Sequence, residues 1–298
     1  MDEWKSRRNK LHADPPPPAK GQPVLVLVYA GALDSAEAGR RFFLDGDELI
    51  IGRSSDADIQ VDRDSVSRRH ARIARSGDGW QVFDLQSTNG SYVNDMPIRE
   101  HKLQSGDWLK IGNAIFRFLS GPSVEMLVQD QQYSVAVRDG LTQAYSRRAF
   151  VDLLERELAR ANKDKDKGGR PLSLVAVDID HCGKINDAHG HLTGDHIIKE
   201  LARRIQKRTD RSEALCRYDG TQFLLLLPDC PLDKAAERGE ELRQAAAAET
   251  FNFEGDRIAV TVSVGIVSRT DGEAAQALRA VQEQVQRAKK QGRNRIAS

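Results

Sequence analysis

Two aspartates at the end of an apolar segment are suited, by residue type and by position, to bind a metal ion. The segment LSLVAVDID reads as a buried strand that ends in Asp178 and Asp180. Burial of a carboxylate is costly unless the group is paired or bound to a cation, and Mg²⁺ prefers hard oxygen ligands. The pair therefore predicts a metal site at the end of this strand.

Further polar residues downstream extend this site. Asn186 and Asp195 follow on a loop and a helix, and an amide near a carboxylate can hydrogen-bond the edge of a guanine base. Lys289 and Arg293 are four residues apart, which predicts that they share one face of a helix near the C-terminus. Considered alone, this basic pair is better explained as a solvated helix end.

The segment LCRYDGTQFLLLL, residues 215–227, reads as a β-hairpin. Its strands flank Asp219 and Gly220, a pair that favours a type I′ turn. Such a hairpin presents the residues at its tip, but Thr221 and Gln222 there are neutral. Asp219 is better explained as a turn residue, so the hairpin predicts a place for a site without a catalytic acid or base.

The elements that carry these residues divide the chain into four segments. Residues 1–23 are charged, contain four consecutive prolines and predict a disordered tail, either a spacer or a docking segment. Residues 24–120 show short alternating strands, which favour an all-β sandwich. Residues 121–137 form a linker, either a plain connection or a short dimerising helix. Residues 138–298 interleave helices with apolar strands, which predicts an α/β fold with a mixed sheet.

Three loops of the all-β segment carry polar side chains that suit a phosphorylated peptide. They are IGRSSDADI, DSVSRRHARI and LQSTNGSYVN. Arginine offers a fixed fork of donors to phosphate oxygens, hydroxyls donate as well, and asparagine both donates to and accepts from a peptide backbone. The candidate binding residues are Arg53, Ser67, Arg68, Thr88 and Asn89.

The order Gly-Arg, Ser-x-x-His and Thr-Asn-Gly in these loops closely resembles the forkhead-associated (FHA) domain. The resemblance implies a reader of phosphothreonine peptides, on a partner that is the substrate of a serine/threonine kinase. It implies that Arg53 and Ser67 bind the phosphate. Arg68 and Thr88 would assist them, and Asn89 would hold the peptide backbone.

Three more residues match the pattern of the FHA domain. The resemblance implies that His70 braces the loops and that Gly52 and Gly90 occupy turns. The tail, residues 1–23, contains no threonine, so it cannot supply a phosphothreonine ligand. We therefore expect the ligand to belong to another protein.

Several motifs in residues 138–298 occur in a characteristic order: DGLTQAYSRR, KINDAHGHLTGD, RYDGTQF, VTVSVG and AKKQGRNR. Together they look like the GGDEF family, the diguanylate cyclases. The resemblance implies a nucleotide-cyclase-like α/β fold, in which two GTP-loaded subunits form cyclic di-GMP with two divalent metal ions. The implied binding residues are Asp178 and the Ile179 carbonyl for metal, Asn186 and Asp195 for guanine, and Lys289 and Arg293 for triphosphate.

The signature loop of that family, Gly-Gly-Asp/Glu-Glu-Phe, is here Asp-Gly-Thr-Gln-Phe over residues 219–223. Thr221 stands in place of a metal-binding acid, and Gln222 in place of the glutamate linked to activation of the attacking hydroxyl. Loss of a positioned base costs ~10²–10⁴-fold in rate. Gly183 also replaces a phosphate-binding lysine. The resemblance thus implies a degenerate domain, which would take Mg²⁺ only if GTP binds.

Composition and charge argue against several other classes of protein, namely nucleic-acid-binding, membrane-bound and secreted proteins. The net charge of +1 gives no global electrostatic reason to bind nucleic acid or an anionic membrane. The N-terminus lacks the apolar run of a signal peptide, and the longest apolar runs are too short to span a bilayer. The three cysteines show no CxxC spacing, which is typical of reduced thiols. We therefore expect a cytoplasmic protein.

These features together predict a two-domain signalling protein that binds a phosphothreonine partner. Its GGDEF-like domain is expected to be catalytically inactive and to act as a GTP-binding or protein-docking module. A homodimer is expected through that domain or through the linker. The alternative is a phosphorylation-regulated diguanylate cyclase that makes cyclic di-GMP from two GTP, and Thr221 and Gln222 argue against it.

Overall fold

The computed structural model describes residues 22–30, 37–121, 137–163, 170–253, 255–269 and 272–298. The chain forms two compact units, which divide between residues 136 and 137. Most of the predicted tail, residues 1–21, and most of the predicted linker, residues 122–136, lie outside the described residues. No helix in the described ranges is both long and apolar enough to cross a bilayer.

The described part of the first unit consists of β-strands and loops. The strands are β1 (Val24–Ala30), β2 (Arg41–Phe43), β3 (Glu48–Gly52), β4 (Ile59–Gln60), β5 (Ala71–Ser76), β6 (Gly79–Asp84), β7 (Ser91–Val93), β8 (Met96–Ile98), β9 (Glu100–Leu103), β10 (Trp108–Ile111) and β11 (Ala114–Leu119). They form a six-stranded sheet in the order β2-β1-β11-β10-β7-β8 and a five-stranded sheet in the order β4-β3-β5-β6-β9.

Both sheets contribute to the main apolar core of this unit. Trp80 and Val82 of β6 are buried while the residues between and beside them are partly exposed, as expected for a strand with one face toward a core. Phe116 of the first sheet and Ile51 and Ile73 of the second belong to the same core. The predicted all-β sandwich is confirmed, although the short strands β8 and β9 were not predicted.

The second unit alternates helices and strands. Its elements are α1 (Arg147–Lys163), β12 (Leu172–Ile179), α2 (Cys182–His189), α3 (His191–Gln206), β13 (Ala214–Asp219), β14 (Gln222–Leu227), α4 (Leu232–Ala247), β15 (Phe251–Phe253), β16 (Asp256–Ile258), β17 (Val262–Arg269), α5 (Ala274–Lys290) and β18 (Ile296–Ala297). Five strands form a mixed sheet in the order β13-β14-β12-β17-β18. The predicted α/β fold is confirmed. Helix α2 and the hairpin of β15 and β16 were not predicted.

Helices cover both faces of this sheet. Gly239 of α4 approaches the side chain of Ile266, and Gly265 approaches the backbone of Val285 in α5. Neighbouring residues of a strand point to opposite faces, so α4 and α5 lie on opposite sides of β17. The central strand β12 is buried along its whole length, which explains its unbroken apolar run.

The turn of the β13–β14 hairpin differs from the prediction. Asp219 pairs with Gln222 across the hairpin. The two turn residues are therefore Gly220 and Thr221, and neither has a positive φ. A type I′ turn requires positive φ at both central residues, so the predicted type I′ turn at Asp219 and Gly220 is wrong. The register is set instead by β14, whose buried Phe223 and following leucines pair with β12.

Candidate functional site

Loops from three places in the first unit meet at one end of the sandwich. The backbone N of Arg53 donates to the carbonyl oxygen of Ser67 at 2.9 Å. Gly52 ends β3 so close to the next loop that an added Cβ would overlap the carbonyl oxygen of Arg68. Gly52 therefore permits this close approach and does not occupy the predicted turn. Gly90, with φ of 71°, does occupy one.

The predicted hydroxyl groups lie side by side in these loops. Thr88 N donates to Ser67 Oγ at 3.1 Å, and Ser67 Oγ lies 3.5 Å from Thr88 Oγ1. The neighbouring Asn89 donates from Nδ2 to the carbonyl oxygen of Ser65 at 2.8 Å. The structure thus brings Ser67 and Thr88 together, and Asn89 ties its loop to the loop that carries Ser67.

The two predicted arginines are exposed on the same loops. Arg53 Nη1 lies 4.0 Å from Asp64 Oδ1, and the Arg53 side chain is 42% exposed. Arg53 Nε donates to the carbonyl oxygen of Val66 at 3.3 Å. Arg68 is also exposed. An exposed ion pair at this separation is weak, so both guanidinium groups are accessible to an anionic ligand from solvent.

His70 is buried beneath these loops and braces them. Its Nδ1 accepts a hydrogen bond from Ser67 N at 3.1 Å, and its Nε2 lies 3.0 Å from the carbonyl oxygen of Gly90. Because Nδ1 accepts, the ring proton is on Nε2 and the imidazole is neutral. Burial lowers the pKa of His70, against the raising effects of the Gly90 carbonyl and the Asp84 carboxylate. The geometry agrees with the bracing role expected for this histidine.

In the second unit, Asp178 is buried at the end of β12 beside the tip of the hairpin. Thr221 Oγ1 donates to Asp178 Oδ1 at 3.1 Å. Gln222 Nε2 and Lys289 Nζ donate to Asp178 Oδ2 at 3.3 Å and 2.7 Å. The structure therefore brings Asp178, the hairpin tip and Lys289 together, with three donors directed at one carboxylate.

Asp180 lies two residues further along and is engaged elsewhere. Its carboxylate accepts hydrogen bonds from Thr261 Oγ1 at 2.8 Å, Ser263 Oγ at 2.7 Å and the backbone N of Asn294 at 3.1 Å. These donors belong to β17, to the residue before it and to the segment after α5. Asp180 thus links three parts of the unit, and hydrogen bonds within the fold already occupy its oxygens.

The predicted guanine-binding residues lie on two consecutive helices, Asn186 on α2, where a loop was predicted, and Asp195 on α3. Asn186 packs against Gly194, the residue before Asp195, so closely that a Cβ on Gly194 would overlap Asn186 Oδ1. This Oδ1 atom is buried and has no hydrogen-bond partner in the described part of the chain. An unsatisfied buried acceptor costs ~1–3 kcal/mol.

The predicted helical pairing of Lys289 with Arg293 is wrong. Helix α5 ends at Lys290, and the chain then leaves the helix through Gly292, with φ of 120°, and Arg293, with φ of 62°. A glycine just after a helix commonly adopts such a left-handed conformation. Arg293 is consequently exposed beyond the helix, whereas Lys289 faces Asp178.

Comparison with known families accounts for both groups of residues. A model of the FHA domain matches residues 49–112. A model described as diguanylate cyclase, GGDEF domain, matches residues 136–295, which is more than half of the chain. The chain belongs to the GGDEF family. It carries an FHA domain followed by a GGDEF domain, as its motifs predicted.

Relatives of the GGDEF domain include proteins named as cyclases. The chain is 36% identical to Diguanylate cyclase DgcP of Pseudomonas aeruginosa over 168 residues, 56% of this chain and 24% of the relative. It is 33% identical to Response regulator PleD of Caulobacter vibrioides over 171 residues, 56% of this chain and 37% of the relative. The chain thus spans less than half the length of these relatives.

Solved structures agree with the fold of the GGDEF domain. The GGDEF domain of DgcB from Caulobacter crescentus in complex with c-di-GMP has a TM-score of 0.52 at 30% identity, covering 54% of this chain and 92% of that one. A longer form of DgcB, with its coiled coil, has a TM-score of 0.54 at 30% identity, over 59% and 93% of the two chains.

Sequence reasoning missed a buried ion pair that supports the hairpin of the GGDEF domain. Arg217 Nη1 lies 3.2 Å from Asp139 Oδ2, and both side chains are almost fully buried. Arg217 also donates from Nη2 to the carbonyl oxygen of Gly220 at 2.9 Å. The pair joins the DGLT segment to the turn of the hairpin. An arginine within the otherwise apolar segment LCRY was the available signal.

Among the described residues of this GGDEF domain, the side chains around Asp178 do not form the ligand set of a two-metal centre. Asp178 has donors on both oxygens, and Thr221 and Gln222 are neutral. Within the residues that the structure describes, no three His, Cys, Asp or Glu side chains are grouped to hold a metal ion. A pair of Mg²⁺ ions requires several charged oxygen ligands or waters, and this donor set does not fit them.

Proposed function

We propose that this protein is a phosphothreonine-dependent signalling protein whose GGDEF domain does not make cyclic di-GMP. The hydrogen bonds of Thr221 and Gln222 to Asp178 carry this proposal. A cyclase needs acids at these two positions to bind metal and to activate a hydroxyl. This chain has Thr221 and Gln222 there, and both donate hydrogen bonds to the carboxylate of Asp178. The GGDEF domain would instead serve as a site for guanine nucleotide.

The proposal assigns partner recognition to the FHA domain. Arg53, Ser67 and Thr88 converge at one end of the sandwich, and the guanidinium of Arg53 is open to solvent. A phosphothreonine carries a charge of about −1.5 to −2 at neutral pH, and a guanidinium offers it two parallel donors. The partner would be a protein phosphorylated by a serine/threonine kinase.

Substitution of Arg53 tests this assignment. We expect Arg53→Ala to reduce capture of the full chain by a degenerate phosphothreonine peptide library by about tenfold or more, because a charge-assisted hydrogen bond to phosphate is lost. The unphosphorylated library sets the baseline. The matched control is Arg75→Ala, since Arg75 is an exposed arginine at the far end of β5 from these loops. Equal capture of Arg53→Ala and wild type would contradict the assignment.

Two features support retention of a nucleotide site in the GGDEF domain. Asn186 on α2 packs against Gly194, the residue before Asp195 on α3, so the two residues expected to bind guanine lie on neighbouring helices that contact each other. Lys289 is positioned at Asp178 with part of its side chain exposed. These side chains would bind the guanine ring and a phosphate group. None of them is placed to accept a proton from the attacking hydroxyl. The proposal therefore separates nucleotide binding from catalysis.

A direct assay for product tests the absence of catalysis. We expect the full chain, incubated with GTP and either Mg²⁺ or Mn²⁺, to yield no cyclic di-GMP detectable by chromatography and mass spectrometry. The assay is repeated with the phosphothreonine peptides that the FHA domain captures, since binding could regulate the second domain. An active diguanylate cyclase added to a parallel sample controls for inhibition. Sustained turnover would instead establish the phosphorylation-regulated cyclase.

The homodimer stays a prediction. It was expected to form through the GGDEF domain or through the linker, and residues 122–136 of that linker lie outside the described residues. Multi-angle light scattering of the full chain over a range of concentrations measures its mass directly.

A further inference from the structure

The charges around Asp178 differ from those of a site built for divalent cations. Asp178 carries one negative charge, and the neighbouring Thr221 and Gln222 are neutral. The Lys289 ammonium lies 2.7 Å from Asp178 Oδ2. One negative and one positive charge therefore cancel. With acids at positions 221 and 222 the same group would carry two more negative charges. This group of side chains therefore attracts a divalent cation less strongly than the same group with acids at both positions would.

The hydrogen bonds around Asp178 also oppose a metal ion. Gln222 Oε1 accepts a hydrogen bond from Gln282 Nε2 at 2.6 Å, which orients the Gln222 amide so that its Nε2 faces Asp178 Oδ2. Thr221 donates to the other oxygen. A cation at Asp178 would have to displace the Lys289 ammonium and turn these N–H and O–H donors away. The arrangement is therefore internally satisfied without a metal.

Lys289 has the geometry of a built-in cation. An ammonium has three donors, of which one is directed at Asp178. The Lys289 side chain is 24% exposed while that of Asp178 is 11% exposed, so the ammonium is the more accessible member of the pair. Its other donors remain for the oxygens of a phosphate group. Lysine binds phosphate in this way as a point charge.

We propose that the Lys289 ammonium takes the place of a divalent cation at Asp178, and that the GGDEF domain therefore binds guanine nucleotide independently of Mg²⁺. This inference rests on the proposed nucleotide site, and it identifies the Lys289 ammonium as the cation that contacts the phosphate groups there. Asp178 then holds Lys289 in position, and Gln282 and Gln222 hold Asp178.

Nucleotide titrations of the full chain test this cation independence. We expect the dissociation constant for GTP, measured by calorimetry, to differ by less than about threefold between EDTA and excess MgCl₂. Lys289→Met should weaken GTP binding by about tenfold or more in both buffers, because the charged donor is lost. Lys290→Met is the matched control, since Lys290 is an exposed lysine next to it on α5 and should retain wild-type affinity. Binding that strengthens about tenfold with Mg²⁺ would overturn the inference.

Metal binding provides a second readout that needs no nucleotide. We expect electron paramagnetic resonance to show free Mn²⁺ with the wild-type chain, and bound Mn²⁺ with the double variant Thr221→Asp, Gln222→Glu. Wild-type protein that retains Mn²⁺ as well as the double variant would overturn the inference. Absence of GTP binding in both buffers would refute the proposed nucleotide site, and the Mn²⁺ measurement would then decide the role of Lys289 separately.

Discussion

The imidazole of His70 holds two loops of the FHA domain together through both ring nitrogens. Nδ1 accepts from Ser67 N and Nε2 donates to Gly90 O, so the brace requires the neutral form. Ser67 is one of the residues proposed to bind phosphate. The protonation state of His70 therefore affects the position of Ser67 in the proposed phosphate site.

We predict that the FHA domain loses stability as the pH falls below 6.5. In the unfolded chain His70 has its ordinary pKa of 6.5, whereas burial lowers the pKa in the folded domain. Between these values the unfolded state binds more protons, so stability that is present above pH 6.5 is lost as the pH falls toward the folded pKa. The slope is at most about 1.4 kcal/mol per pH unit.

Urea unfolding followed by tryptophan fluorescence measures this slope, since all three tryptophans precede residue 137. His70→Gln should lose the slope, and His101→Gln, which changes a partly exposed histidine of the same domain, should keep it. If His70→Gln does not fold, an NMR titration of His70 in the wild-type chain replaces it. A His70 that becomes protonated near pH 6.5 would contradict the prediction.

Helix α5 and strand β17 pack through a glycine, and this contact helps to position Lys289 of the proposed nucleotide site. A Cβ on Gly265 would lie 2.5 Å from Val285 N and 2.6 Å from Val281 O. The helix backbone can approach the sheet this closely because residue 265 has no side chain. Lys289 lies one turn beyond Val285 on the same helix, so this close approach contributes to its contact with Asp178.

Gly265→Ala is therefore expected to destabilise the GGDEF domain by about 1–3 kcal/mol, because the new methyl group must push α5 away from β17. Thermal unfolding followed by circular dichroism at 222 nm measures the change, since the helices within the described residues lie in this domain. Gly220→Ala is the matched control. Gly220 lacks a positive φ, and its added Cβ would meet no atom within 4 Å. Equal melting temperatures for the two variants would show that the helix tolerates the shift.

In the proposed function, the two domains of the chain bind different ligands. Each has its own apolar core, one between the two sheets of the FHA domain and one between the sheet and the helices of the GGDEF domain. The net charge of +1 is consistent with binding that depends on local groups and not on the field of the whole chain.

Much of this organisation was predictable from local patterns. Alternating apolar residues predicted most strands of the sandwich, and the run LSLVAVDID predicted β12. The order of Arg53, Ser67 and Thr88 in their loops predicted the phosphate site, which remains a proposal. The replacement of acids at residues 221 and 222 is a property of the sequence alone, and no contact was needed to see it.

Contacts between distant residues were not predictable in the same way. Lys289 and Asp178 are 111 residues apart, and their ion pair depends on how α5 packs on the sheet. The hairpin turn lies at Gly220 and Thr221, because pairing of β14 with β12 outweighs the preference of an Asp-Gly pair. Local propensities act over a few residues and contribute tenths of a kcal/mol to about 1 kcal/mol each. Burial of Phe223 and the four leucines of β14 contributes about 1.5–3 kcal/mol for each side chain, so packing determines the register and, with it, the donors that surround Asp178.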